Sequence, residues 1–196
     1  HIYKQLTDTE HWYLVMDFIE GETLEHRLEQ AAGGRVPLAQ TLQIGIQICN
    51  VLEYLHSRQP SVIFRDIKPA NIMLTPDHRL HIIDFGVARL YKSGQPKDTI
   101  AFGSPGYAAP EQYGRAQTTP RSDIYSLGAM LHQMLTGQDP SLNPFRFQPL
   151  SASDRTLPIK LEKLIAQMLE TDMQQRPASV DEVRRRLQSI AASRIV

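Results

Sequence analysis

The 196-residue sequence predicts an α+β fold, mostly helical with a few short strands. Three features predict it. Long stretches carry apolar residues at helical spacing, short apolar runs cluster between Ser61 and Gly86, and residues 91–121 keep no period at all. At about 100–200 residues per domain, the length allows one domain or one and a fraction.

Taken in order, His11–Ile19 (HWYLVMDFI) is aromatic and aliphatic with one acid and reads as a buried strand. Glu20-Gly21 breaks it. Thr23 is placed to cap a short helix over Leu24–Gln30, which Gly33-Gly34 ends. Leu38–Arg58 is a long amphipathic helix with the stripe Ile44, Ile48, Val51/Leu52 and Leu55 toward a core. Its Cys49 reads as a small core residue. Short strands follow at Val62–Phe64, Ile72–Leu74 and Leu80–Ile83, the last two separated by a Pro76-Asp77 turn. The tract 91–121, rich in Gly, Pro, Ser, Thr and Gln, is a long loop, and loops of that size are usually functional or disordered. Helices resume at Ser122–Leu135, closed by Gly137, then at Pro158–Leu169 and Val180–Ala192, the last with a capping box Ser179-x-x-Glu182.

Composition narrows the function classes. Twenty-one basic and 21 acidic residues cancel, which argues against a nucleic-acid binder held by a basic field. One cysteine excludes an internal disulfide framework or a CxxC metal knuckle. No apolar run reaches the roughly 18 residues that a membrane-spanning helix needs. The histidines lack metal-ligand spacing, so His56, His78, His81 and His132 read as structural or surface residues. Arg184–Arg186 reads as a solvated helix face. The chain opens at His1 without initiator methionine or leader and is expected to be a piece of something longer.

The chemistry lies in three motifs: D-x-K-P-x-N at Asp66–Asn71, D-F-G at Asp84–Gly86 and A-P-E at Ala109–Glu111. Their joint occurrence by chance is about one in a million. Phosphoryl transfer needs an acceptor hydroxyl held in line, metals on the phosphates and a cation facing the transferring group. Asp66 supplies a carboxylate that can orient a hydroxyl and take its proton. Lys68, two residues on, supplies an ammonium. Asn71 and Asp84 offer a neutral and an anionic oxygen suited to Mg²⁺ (or Mn²⁺). Gly86 lets the chain turn after the metal ligand.

On these residues the chain resembles the large lobe of eukaryotic-like (Hanks-type) bacterial serine/threonine protein kinases. The resemblance implies a protein-kinase-like fold: a helical large lobe, a small sheet at the cleft, and the last strands of a small lobe. Residues 1–21 would be the end of the small lobe and the hinge, and 22–196 the large lobe, with catalytic loop 64–71 and activation segment 84–111. It implies ATP and Mg²⁺ as cofactors, a protein substrate and a cytoplasmic place. Asp66 would be the catalytic base and Lys68 the phosphate cation, with Asn71 and Asp84 as metal ligands. The Asp17 carbonyl and Ile19 amide would meet adenine over a Met73 floor, behind a Met16 gatekeeper. Ser104 would bond the catalytic aspartate and lysine, Glu111 and Arg176 would pair, and Asp123 would tie down the catalytic-loop backbone. Lys68 fits serine/threonine rather than tyrosine specificity. Arg65 suggests control by phosphorylation of the activation segment, first at Thr99, with Ser93 and Tyr91 behind it. A non-catalytic kinase-like scaffold is the alternative; a small-molecule kinase is a third reading.

Two departures stand out. Phe64 occupies the place where most of the family has histidine, beneath Phe85 of the D-F-G; it keeps apolar packing at a cost of about 1 kcal/mol. Tolerance is expected. The sequence also has no G-x-G-x-x-G and no strand lysine of the V-A-I-K kind, so the chain alone is expected to bind ATP weakly and transfer phosphate poorly.

Overall fold

The computed structural model describes residues 2–8, 10–84, 88–91, 103–114 and 116–193. Of the residues singled out above, Phe85, Gly86, Ser93 and Thr99 lie outside the described residues, and so does the side chain of Met16.

The chain begins with an antiparallel ribbon, β1 (Ile2–Thr7) against β2 (Trp12–Met16), in the register Gln5 to Leu14 and Thr7 to Trp12. The buried strand expected over His11–Ile19 is corrected here. Only Trp12–Met16 is extended, and Tyr13 and Val15 are exposed, because no described layer covers the ribbon. Phe18, beyond the strand, is 92% exposed.

The helical part starts at β3 (Glu22–Thr23) and α1 (Leu24–Gln30), where the Thr23 hydroxyl accepts the His26 amide at 3.2 Å. α1 stops at Ala31, just before the glycines, which form a separate 3₁₀ turn at φ 67° and 65°. In α2 (Leu38–His56) the predicted stripe holds: Ile44, Ile48, Leu52 and Leu55 are buried. Each such side chain contributes roughly 1.5–3 kcal/mol on leaving water. Cys49 lies among them, and burial pushes its thiol up to about 12, so it is a packing residue.

Short strands follow α2. β4 (Val62–Ile63) pairs with β7 (Arg89–Leu90), and β5 (Ile72–Leu74) pairs with β6 (Leu80–Ile82) on one side and β3 on the other. α3 (Pro120–Thr136) is the centre of the domain, buried over nearly its whole length and capped by Thr119 at the start and by Gly137, at φ 71°, at the end. Around it pack α2, α4 (Leu150–Ser153), α5 (Ile159–Met168) and α6 (Val180–Ala192). α4 is absent from the sequence reading, since one turn of LSAS carries no period to read.

The capping box at α6 is half present. Ser179 accepts the Glu182 amide at 3.2 Å, but the Glu182 carboxylate takes the amide of Ala178 rather than that of Ser179. The arginines of α6 are ion-paired within the chain: Arg184 to Glu53 at 2.6 Å, Arg185 to Asp181 at 3.1 Å and Arg186 to Glu182 at 3.4 Å. Among the described residues no helix is long and apolar enough to cross a membrane.

Candidate active site

The site is built on a backbone bend. β4 ends at Ile63, and two residues later Arg65 takes a left-handed conformation at φ 68°. For a non-glycine residue this costs about 1–3 kcal/mol and persists only where the surroundings enforce it. Here they enforce it from both sides. The carboxylate of Asp123 accepts the amides of Phe64 at 3.0 Å and Arg65 at 2.7 Å. On the other side the Arg65 carbonyl accepts Nε2 of Gln112 at 2.8 Å. Bonds to a charged acceptor contribute roughly 1.5–3 kcal/mol each, enough to offset the bend.

Asp123 is fully buried in the first turn of α3, where the helix N-terminus favours its charge. Its third partner is His56, whose Nε2 lies 2.8 Å from Oδ2 and donates its proton to the carboxylate. The expectation that His56 and His132 are structural or surface residues resolves to structural roles, with His56 half-buried and His132 buried. His132 holds the Gln148 carbonyl at 2.9 Å. Sequence reasoning missed the connection of His56 to Asp123, but a signal was there: His56 stands four residues past Leu52, in step with the Ile44–Ile48–Leu52 stripe.

The bend delivers Asp66 into a closed hydrogen-bonded cluster. Its Oδ1 accepts the Ser104 hydroxyl at 2.8 Å. Its Oδ2 lies 3.1 Å from Nζ of Lys68 and accepts Nδ2 of Asn71 at 2.8 Å. Lys68 in turn donates to Ser104 Oγ at 2.7 Å. Asp66 and Lys68 keep 11% and 27% of their side chains exposed, so the cluster faces a solvent-accessible edge.

Asn71 closes the short 3₁₀ turn Pro69–Asn71, and its amide nitrogen also reaches the Asp66 carbonyl at 2.9 Å. With Nδ2 so committed, the amide is oriented and Oδ1 is presented away from Asp66. The Asn71 carbonyl accepts the Ile83 amide at 2.9 Å, which extends the pairing of Ile72 with Ile82 up to the residue before Asp84. Asp84 is exposed and left-handed at φ 61°. The neutral amide oxygen of Asn71 and the carboxylate of Asp84 are donor types that suit a hard divalent cation. Met73, half-buried in β5, faces Thr23 of β3 across the ladder. Asp17 and the half-buried Ile19 lie in the irregular stretch between β2 and β3, and Asp17 accepts the Tyr3 hydroxyl.

The segment that brings Ser104 is anchored below. Glu111, in the 3₁₀ turn Pro110–Tyr113, meets Arg176 through two bonds of 2.7 and 2.9 Å, and the Ser122 hydroxyl adds a third at 2.6 Å. Arg176 also binds the carbonyls of Glu170 and Arg121 and lies 5.0 Å over the ring of Tyr125. Both partners are buried, which demands this full set of contacts. Tyr91, half-buried, gives its amide to the Ser61 carbonyl at 2.7 Å.

Comparison with known proteins places this arrangement. The protein kinase domain matches residues 1–187. A protein of Streptomyces coelicolor named as a probable serine/threonine-protein kinase is 33% identical over 186 residues, covering 88% of this chain and 27% of that protein. Serine/threonine-protein kinase A of Synechocystis is 32% identical over 204 residues, 92% of this chain and 38% of that protein. Serine/threonine-protein kinase PknB of Mycobacterium leprae is 37% identical over 130 residues, 65% of this chain and 20% of that protein. The chain thus spans well under half the length of these relatives.

Proposed function

The chain belongs to the protein kinase family, and from that premise we propose that it carries the catalytic lobe of a serine/threonine protein kinase, transferring the γ-phosphoryl group of ATP to a serine or threonine hydroxyl of a protein. The observation that supports this most is the triangle of Asp66, Lys68 and Ser104, in which a serine 38 residues along the chain meets both members of the D-x-K pair.

In this reading the Asp66 carboxylate orients the acceptor hydroxyl and receives its proton as the new P–O bond forms. Lys68, held against Asp66 and Ser104, places its ammonium where negative charge grows on the phosphoryl oxygens. Ser104 fixes the carboxylate's rotamer and holds the activation segment against the reacting groups. Asn71 and Asp84 are the side chains that would hold Mg²⁺, which neutralises phosphate charge when bound. Asp17, Ile19 and Met73 supply the adenine edge and floor. A scaffold that never turned over would have no physical need for this complete set. Dependence on ATP supports a cytoplasmic place for the domain.

The test is phosphoamino-acid analysis of a general protein substrate incubated with the full-length protein and labelled Mg-ATP. Label on serine and threonine, reduced at least a hundredfold by Lys68→Met, is expected. Label on tyrosine alone, or equal labelling by the variant, would refute the reading.

A further inference from the structure

Gln112 is buried and has no part in the chemistry above, yet it touches both halves of the site. Its Oε1 accepts the Ala109 amide at 3.0 Å. An amide hydrogen there fixes the carboxamide orientation, so Nε2 points the other way, onto the Arg65 carbonyl at 2.8 Å. That carbonyl belongs to the peptide unit that leads into Asp66, and it follows the left-handed Arg65. The same carboxamide packs against Gly103, where a Cβ would fall 2.8 Å from Nε2 and 2.4 Å from the Ala108 Cβ. Gly103 precedes Ser104, and the Ser104 carbonyl accepts the amides of Tyr107 and Ala108 at 3.2 and 3.0 Å. One side chain therefore ties the turn that carries Ser104 to the bend that carries Asp66.

We propose that Gln112 is a positioning residue for phosphoryl transfer, holding the Arg65–Asp66 peptide in its left-handed setting from the side opposite Asp123 and registering Ser104 on Asp66. The inference rests on the kinase reading for its effect on rate, while the clamp itself is a property of the backbone. Asp123 grips the amide of Arg65, and Gln112 grips its carbonyl. With Gln112 absent, the peptide relaxes toward a commoner conformation, and the Asp66 carboxylate leaves the line of the acceptor hydroxyl. A shift of that kind lowers the rate of the chemical step and leaves nucleotide and peptide binding untouched. The position also couples the 103–114 segment to catalysis: where that segment is displaced, the bond from Gln112 to the Arg65 carbonyl is lost.

The test uses two variants of the full-length protein. Gln112→Met keeps length and volume and removes both polar atoms. It is expected to lower kcat about ten- to thirtyfold with KM for ATP and for peptide within about twofold, and to speed amide exchange of residues 64–67 about tenfold with α3 and α6 unchanged. Gln112→Glu serves if the first variant folds poorly. Its carboxyl donates an O–H to the Arg65 carbonyl when protonated and repels it when ionised. The charged groups around it are Arg65, Asp123 beneath the Arg65 amide and the Glu111–Arg176 pair. Its rate relative to the unmodified protein is therefore expected to fall as pH rises. A kcat within twofold for Gln112→Met, a change confined to KM, or a flat pH ratio for Gln112→Glu would overturn the proposal. Absence of transfer by the unmodified protein would instead refute the kinase reading, and unchanged exchange at 64–67 would still refute the clamp.

Discussion

Arg176 and Glu111, 65 residues apart in the chain, meet in a two-pronged buried ion pair with bonds of 2.7 and 2.9 Å. Removing one partner strands the other charge in the interior, a loss of about 3–5 kcal/mol. Arg176→Ala is therefore expected to lower the unfolding free energy by that amount in urea titrations. Replacing both residues by apolar ones of similar size is expected to cost less than the sum of the single changes, which a double-mutant cycle measures. Additive losses would contradict the pair as drawn.

Ser104 makes a second, catalytic prediction. Its hydroxyl is the shared contact of Asp66 at 2.8 Å and Lys68 at 2.7 Å. Ser104→Ala is expected to lower kcat by about ten- to a hundredfold, the effect of losing one or two oriented hydrogen bonds at a reacting carboxylate. Ser104→Thr, which keeps the hydroxyl, is expected to retain most of the rate. Equal losses in the two variants, read by steady-state kinetics, would assign the effect to bulk.

A pH dependence of stability follows from His132. Burial lowers its pKa below the ordinary histidine value of 6.5, and the bond to the Gln148 carbonyl pulls the other way. The folded state thus holds fewer protons than the unfolded chain just below pH 6.5. Stability from this residue is full above the unfolded pKa and is lost as pH falls below it. Urea unfolding between about pH 5 and 7 is expected to show a slope that His132→Gln flattens. An unchanged slope in that variant would contradict the assignment.

How far the sequence could be read depends on the scale of the signal. Periodic segments were legible: α2, α3, α5 and α6 lie within a residue or two of their expected ends, because the stripe of apolar residues that defines each is the surface it buries. The sequence reads His11–Ile19 as buried because strand residues look alike whether or not a layer covers them, and it offers no reading of β1. At the site, Asp66, Lys68, Asn71, Ser104, Glu111, Asp123 and Arg176 were reached through family motifs, and the structure joins them by hydrogen bonds. Gln112 has no role in the sequence reading, and His56 is read there only as a structural or surface residue. Their contacts lie 47 and 67 residues away and depend on a backbone bend that no local pattern encodes.

The central claim is that Asp66 acts in the chemical step. The most direct measurement is single-turnover phosphoryl transfer by the full-length protein and its Asp66→Asn variant, with ATP affinity measured alongside. The account predicts unchanged affinity and a transfer step at least about a thousandfold slower in the variant, because an amide can neither orient the hydroxyl as an anion nor take its proton. A variant that transfers phosphate at the rate of the unmodified protein would contradict it.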